Sequence, residues 1–115
     1  MSLNELKSIG VDIDDALERF MNNEMLFKKF FKKLLNDNNF TLLQEAFKNH
    51  NIDDAISYAH TLKGVCGNLA IKPLYHLFDE IVKALRSDNW DVAIELNDKA
   101  ISEYTNLLNV IKAMD

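Results

Sequence analysis

The middle of the chain reads AHTLKGVCGNL at residues 59–69, and this stretch decides how the remainder is interpreted. Apolar residues recur here at intervals of three and four, the spacing of one helix face, at Ala55, Ala59, Leu62, Cys66 and Leu69. Each residue advances a helix by roughly 100°, so His60 points almost directly away from that face. The pattern predicts a helix that buries one side and exposes His60 on the other.

Two glycines follow His60 on the predicted outer face, Gly64 after one turn and Gly67 after two. Each Gly inside a helix costs about 0.8–1.0 kcal/mol relative to Ala, so folding gains nothing from placing two of them beside an exposed histidine. A surface that another molecule must approach closely does gain from the missing side chains. We therefore interpret this face as a place where a partner reaches the imidazole.

The residue types around His60 suit phosphoryl chemistry. A neutral imidazole offers a free ring nitrogen as a nucleophile, and Lys63, three residues later, reaches the same space above the helix. Phosphoryl transfer needs positive charge on the equatorial oxygens and in-line access for attack. His60 is thus a candidate phosphoryl acceptor, with charge from Lys63 and access from Gly64. The alternative is an ordinary surface histidine on a solvated helix.

Composition restricts the class of protein. The chain has 115 residues, 48% hydrophobic and 27% charged, so we expect one domain over residues 1–115. A formal net charge of −5 argues against a dedicated nucleic-acid binder, which needs a basic surface. The single cysteine cannot form an intramolecular disulfide, which fits a cytoplasmic protein. The sequence has no apolar stretch long enough to span a membrane and no signal-peptide pattern.

The scarcity of breakers, three Gly and one Pro, favours helices joined by short loops. Helical segments are predicted to begin near Asp12, Glu24, Phe40, Ile52, Pro73 and Trp90. The first should end near Met21 and the His60 helix near Ala70. In the second, the residues predicted to face inward are Leu26, Phe27, Phe30, Phe31 and Leu34. Three or four long amphipathic helices predict an all-α fold: an antiparallel four-helix bundle with a short additional N-terminal helix.

Other candidate groups carry weaker signals. Cys66 falls on the buried face, where a thiol is usually inert, and His76 falls on the polar side of its helix. The three histidines lack the spacing of a helical metal site, so we expect no metal or other cofactor in this chain. The lysines of the second segment lie on the outer side of an amphipathic helix and are predicted to be solvated: Lys28, Lys29, Lys32 and Lys33.

Residues 60–64 (HTLKG), followed by Gly67 and then Asn68-Leu69, resemble the signature of histidine-containing phosphotransfer (HPt) domains. The likeness extends to residues 11–20, which look like the N-terminal segment of bacterial members. It also extends to the aromatic residues of the second segment and to residues 53–55 before the histidine. It covers about residues 9–113.

The resemblance implies that His60 accepts a phosphoryl group from an aspartyl phosphate on a receiver domain and passes it on. It implies that Lys63 neutralises phosphoryl charge, that Gly64 leaves room for the partner, and that Arg86 lies near the site. The expected partners are receiver domains of response regulators or of a hybrid sensor histidine kinase, with Mg²⁺ held in the receiver. The chain would then be a monomeric phosphoryl carrier with no ATP site and no independent catalysis.

Two positions depart from the family pattern. Val82 stands where some members place a Gln bonded to the imidazole, so water or another group would orient His60 here. On a helical wheel Val82 shares a flank with Arg86 and Tyr75, and we expect this flank to adjoin the site. Ala70 stands where members commonly carry Gly, which should change only the turn after the helix. One alternative function is an adaptor that binds a receiver without relaying phosphate. The other is an unrelated structural bundle, which would leave the glycines beside His60 unexplained.

Overall fold

The computed structural model describes residues 3–114, and helices make up 81% of these residues, with no strand among them. The helices are α1 (Leu3–Ser8), α2 (Ile13–Arg19), α3 (Glu24–Lys32), a 3-10 helix (Lys33–Asn36), α4 (Asn39–Lys48), α5 (Ile52–Asn68), α6 (Lys72–Arg86) and α7 (Trp90–Lys112). Helix α5 packs against α4 and α6, and α6 packs against α7. The all-α prediction is confirmed. Positions 1, 2 and 115 of the predicted domain lie outside the described residues.

Polar side chains set where several helices begin. The carboxylate of Asp12 accepts a hydrogen bond from the Asp15 N–H at 3.1 Å and caps α2, and Asn23 caps α3 in the same way through the Leu26 N–H. These caps satisfy donors that the first helical turn leaves free. Two short helices, α1 and α2, precede Glu24 where one was expected, and α2 ends at Arg19 because the backbone turns left-handed at Met21.

Helix α3 buries less of its apolar surface than the sequence predicted. Phe27 and Phe31 are fully buried, with their rings in edge contact at 4.7 Å between centroids. Leu26 and Phe30 were expected to face the core as well, but they are 36% and 38% exposed. The Phe30 ring stacks on Phe20 of the preceding turn at 5.1 Å, so it packs against the N-terminal segment at the surface and not in the core.

One polar pair crosses the interior between α4 and α7. Asn97 is only 5% exposed, and its side chain exchanges two hydrogen bonds with Gln44, at 2.8 and 3.0 Å. A buried amide is tolerated because both its donor and its acceptor find partners. The pair fixes how α4 and α7 face one another beside the aromatic stack of Phe40 on Tyr104, whose ring centroids are 4.3 Å apart.

The turn between α5 and α6 supports the N-terminal segment. Helix α5 ends two residues before the predicted Ala70, because Ala70 adopts a left-handed backbone with φ of 55°. The Ile71 N–H then donates to the Cys66 carbonyl at 2.9 Å and the Ala70 N–H to the Gly67 carbonyl at 3.2 Å. These two hydrogen bonds form a Schellman cap, in which the residue with the left-handed backbone is usually glycine. The Asp12 N–H donates to the Ala70 carbonyl at 2.9 Å and ties the N-terminal segment to the turn.

Candidate functional site

His60 lies on the exposed side of α5, as predicted, close to the middle of a continuous helix. The opposite side of the helix is buried without residual exposure at Ala55, Ala59, Leu62 and Cys66. The helix is anchored at its start by Asn51, whose side chain accepts a hydrogen bond from the Asp54 N–H at 3.1 Å. The imidazole therefore projects into solvent from a rigid and well-packed element.

Gly64 leaves open space one turn beyond His60. Apart from its chain neighbours and its own helix backbone, a Cβ added at this position would meet no atom of the described residues within 4 Å. Nothing in the packing of the domain therefore requires a glycine here. The missing side chain leaves free space on the surface of α5 one turn from His60, and a closely approaching partner needs such space.

Gly67 was predicted to serve the same outer face, but in the structure its missing side chain accommodates α6. A Cβ at Gly67 would lie 3.1 Å from Cδ1 and 3.2 Å from Cε1 of Tyr75. The Tyr75 ring thus packs tightly over α5 at this point. Gly67 allows α5 and α6 to approach each other, and we expect its contribution to partner access to be secondary.

Lys63 is turned toward α6, where it forms an ion pair that the sequence did not predict. Its Nζ lies 3.0 Å from Oδ1 of Asp79, and the side chain is only 27% exposed. The same ammonium lies 5.8 Å from the centroid of the Tyr75 ring, within the range of a cation–π attraction. The Lys63 ammonium is therefore already paired and ordered within the domain itself.

Asp79 binds a second cation on its own helix. Lys83 Nζ lies 3.0 Å from Oδ2, with its side chain 74% exposed. The hydrogen bonds and charges of Lys63 first, and Lys83 second, hold the pKa of the Asp79 carboxyl below its ordinary value. The carboxylate is consequently ionised at neutral pH and shared between two ammonium groups, one from each helix.

The two remaining predicted site residues, Arg86 and Val82, differ in exposure: Arg86 is exposed and Val82 is buried. Arg86 is exposed at the last position of α6, where its guanidinium is free to face solvent or a partner. Val82 is 3% exposed and belongs to the core, so its side chain cannot contact a partner as a surface flank would. The outward-facing residues of α6 on the side of Lys63 are instead Asp79 and Lys83.

Two other side chains are placed where the sequence suggested. Cys66 is fully buried, and burial raises the pKa of its thiol to about 12, so the thiol is protonated and unreactive at neutral pH. His76 is exposed, with its ring edge-on to Tyr75 at 5.4 Å. His76 is therefore a second solvent-facing histidine. It lines a cleft together with Gly64 and Gly67 of α5, but its own helix contains no glycine.

A second charged cluster joins α2 to the beginning of α6. Asp15 pairs with Arg19 at 3.3 Å and with Lys72 at 3.5 Å. Arg19 and Lys72 also line an open cleft of about 430 Å³ that runs past Gly64, Gly67 and Tyr75. Two basic side chains thus lie beside the surface of α5 that carries Gly64 and Gly67, on the side of the N-terminal segment.

Within residues 3–114, no three or more His, Cys, Asp and Glu side chains are grouped so that they could hold a metal ion. No helix of the described chain is long and apolar enough to cross a membrane.

Comparison with protein families shows which family the chain belongs to. The family model of the Hpt domain matches residues 31–114, which is more than half of the chain and includes α5 with His60 and all of α6 and α7. The chain therefore belongs to the Hpt domain family. The match begins near the end of α3, so it is shorter than the likeness noted in the sequence. Neither a curated protein nor a solved structure matches the chain.

Membership of this family defines the general role. Hpt domains are phosphocarrier modules that act in two-component signalling and interact with receiver domains, and they are not enzymes with a catalytic site of their own. The helical bundle, the exposed histidine and the open glycine are consistent with that role.

Proposed function

We propose that His60 is the phosphoryl acceptor and that the domain relays a phosphoryl group between receiver-domain aspartates in a multistep phosphorelay. The observation that carries this proposal is the open space beside an exposed His60, where Gly64 has no packing reason to lack a side chain. The incoming phosphoaspartate sits inside a folded receiver, so the acceptor must protrude and its surroundings must be free of side chains. Among the three histidines, His60 alone has such a glycine one turn away on its own helix.

The proposed reaction is an in-line displacement. A neutral ring nitrogen of His60 attacks the phosphorus atom of the receiver's aspartyl phosphate, a P–N bond forms, and the P–O bond breaks to release the aspartate carboxylate. The phosphorylated imidazolium then loses its remaining N–H proton to water. The negative charge spread over the phosphoryl oxygens in the transition state is stabilised by cations, and Lys63 is the candidate on the same helix.

The supporting framework is proposed along with the site. We propose one domain built as an antiparallel four-helix bundle preceded by short helices, acting as a monomer in the cytoplasm. Its partners are receiver domains of response regulators or of a hybrid sensor histidine kinase, and they supply the Mg²⁺ that the transfer requires. Gly64 and Arg86 face the receiver in this proposal.

The test is phosphorylation of purified protein by a panel of phosphorylated receiver domains and, independently of partner identity, by the small donor phosphoramidate. Phosphate that is labile in acid, stable in base and located on residue 60 by mass spectrometry is the expected product. His60→Gln should abolish it with little change in thermal stability, because exposed positions usually matter within about 0.5 kcal/mol. His76→Gln is the matched control, since this histidine is also exposed near α5, and it should leave phosphorylation intact.

Receiver binding without any phosphate on His60 would instead indicate the adaptor that docks a receiver and relays nothing. Phosphate retained in the His60→Gln protein would show that the acceptor was assigned to the wrong residue.

A further inference from the structure

We infer that Asp79 is the resting counterion of Lys63 and that phosphorylation exchanges it, so that Lys63 moves from the Asp79 carboxylate to the phosphoryl group while Lys83 keeps Asp79 neutralised. This inference rests on the proposed role of His60 and adds a positioning residue to it. The inference is drawn from two ion pairs that share the Asp79 carboxylate. Lys63 Nζ lies 3.0 Å from one of its oxygens and Lys83 Nζ lies 3.0 Å from the other.

Asp79 holds Lys63 in a defined place before transfer. A free lysine side chain samples many rotamers, whereas here the ammonium is confined between a carboxylate of α6 and the face of Tyr75. Both partners lie on the neighbouring helix, so the side chain of Lys63 is directed across the α5–α6 surface. The ammonium is thereby held on the α5–α6 surface, and only 27% of the Lys63 side chain is exposed.

The same contact also competes with the phosphoryl group. A phosphoryl group brings a charge of roughly −1.5 to −2 near neutral pH, which is more than the single charge of a carboxylate. When His60 carries it, Lys63 lies between two anions and is drawn to the more highly charged one. The free energy gained when Lys63 pairs with the phosphoryl group is reduced by the loss of its ion pair with Asp79.

Lys83 makes this exchange possible at low cost. If Asp79 had only one partner, release of Lys63 would leave a carboxylate that is 22% exposed without a counterion. Lys83 remains bound to the other carboxylate oxygen, one turn further along α6, and its exposed side chain needs no rearrangement. Lys83 thus acts on the site only through Asp79, and it weakens the hold of Asp79 on Lys63.

This arrangement predicts opposite effects for the two residues on the equilibrium between phosphoaspartate and phosphohistidine. Asp79→Asn frees Lys63 and should raise the ratio of phosphohistidine to receiver phosphoaspartate, by roughly two- to fivefold if the pair is worth as much as other partly exposed ion pairs. Lys83→Gln leaves Asp79 with Lys63 alone and should lower the ratio by a similar factor. Glu80→Gln removes an exposed carboxylate from the adjacent position and is the matched control, with no change expected.

A double-mutant cycle separates counterion exchange from long-range electrostatics. If Lys83 acts through Asp79, Lys83→Gln should have no further effect on the ratio once Asp79→Asn is present. Independent additive effects of the two changes, or an equal increase from Glu80→Gln, would overturn the inference and leave only a general dependence on charge.

Nuclear magnetic resonance of the lysine ammonium groups supplies a readout that a structural role would not produce. The Lys63 ¹⁵Nζ resonance should differ between wild type and Asp79→Asn before phosphorylation and should coincide in the two proteins afterwards, while the Lys83 resonance of the wild type stays in place. A Lys63 resonance that does not respond to phosphohistidine overturns the exchange while the role of His60 stands. Absence of phosphohistidine in the wild type would overturn the proposed function and this inference together.

Discussion

The substitution Gly64→Ala tests directly why a glycine stands beside the candidate acceptor. A Cβ at this position contacts no described atom beyond its own helix, so the change introduces no steric conflict. Alanine is better than glycine in a helix interior by about 0.8–1.0 kcal/mol, and this gain should appear almost undiminished. For a domain of this size it corresponds to an increase in the melting temperature of about 4 °C.

Gly67→Ala is the matched control on the same helix. The propensity gain is identical, but the new methyl group lies 3.1 Å from the Tyr75 ring, and the ring must shift or α5 and α6 must separate slightly. We expect Gly67→Ala to be less stable than Gly64→Ala by about 1 kcal/mol, because overpacking a well-filled contact costs energy of that order. Thermal or urea unfolding of the three proteins measures the difference.

A larger side chain at position 64 tests whether the open space matters for phosphoryl transfer. Gly64→Gln fills the space beside His60 and should slow transfer from a phosphorylated receiver at least about tenfold, equivalent to roughly 1.4 kcal/mol in the barrier. Single-turnover transfer, with the melting temperature measured in parallel, separates this effect from misfolding. Clear destabilisation by Gly64→Ala would show a backbone role for this glycine. Unchanged transfer in Gly64→Gln would refute the argument that the missing side chain admits a partner.

Three further outcomes are expected. Lys63→Ala should reduce the single-turnover transfer rate at saturating receiver by about 10- to 100-fold while changing receiver affinity much less; weakened binding with an unchanged rate would make Lys63 a docking residue only. Ala70→Gly should raise the free energy of unfolding by about 1 kcal/mol, because Ala70 has a left-handed backbone that costs a non-glycine residue this much; urea unfolding measures it, and a decrease would contradict the turn geometry. Asn97→Ala should lower stability by about 1–3 kcal/mol by leaving the Gln44 amide without its partner; combining it with Gln44→Ala should give less than the sum of the two single effects, and additivity would argue against a coupled pair.

The amino-acid sequence alone determined the helical class and the exposed face of α5. Both follow from local rules. The spacing of apolar residues places His60 on the side of α5 opposite Ala55 and Leu62, and caps such as Asp12 mark helix starts whatever the rest of the chain does. The side of α5 on which Gly64 lies was predictable for the same reason. Its open space was not, because Gly67 was predicted on that side too and packs against the Tyr75 ring.

Tertiary structure decided the contacts between helices. Asp79 and Lys83 are four residues apart, so their pairing could be anticipated from the sequence, but the bond from Asp79 to Lys63 depends on how α6 is rotated and seated against α5. That same packing places Tyr75 against Gly67 and buries Val82. Helical periodicity specifies direction around one axis only. The distances between two helices are set by the shapes of all the side chains that pack between them, and they determine which charge Lys63 meets.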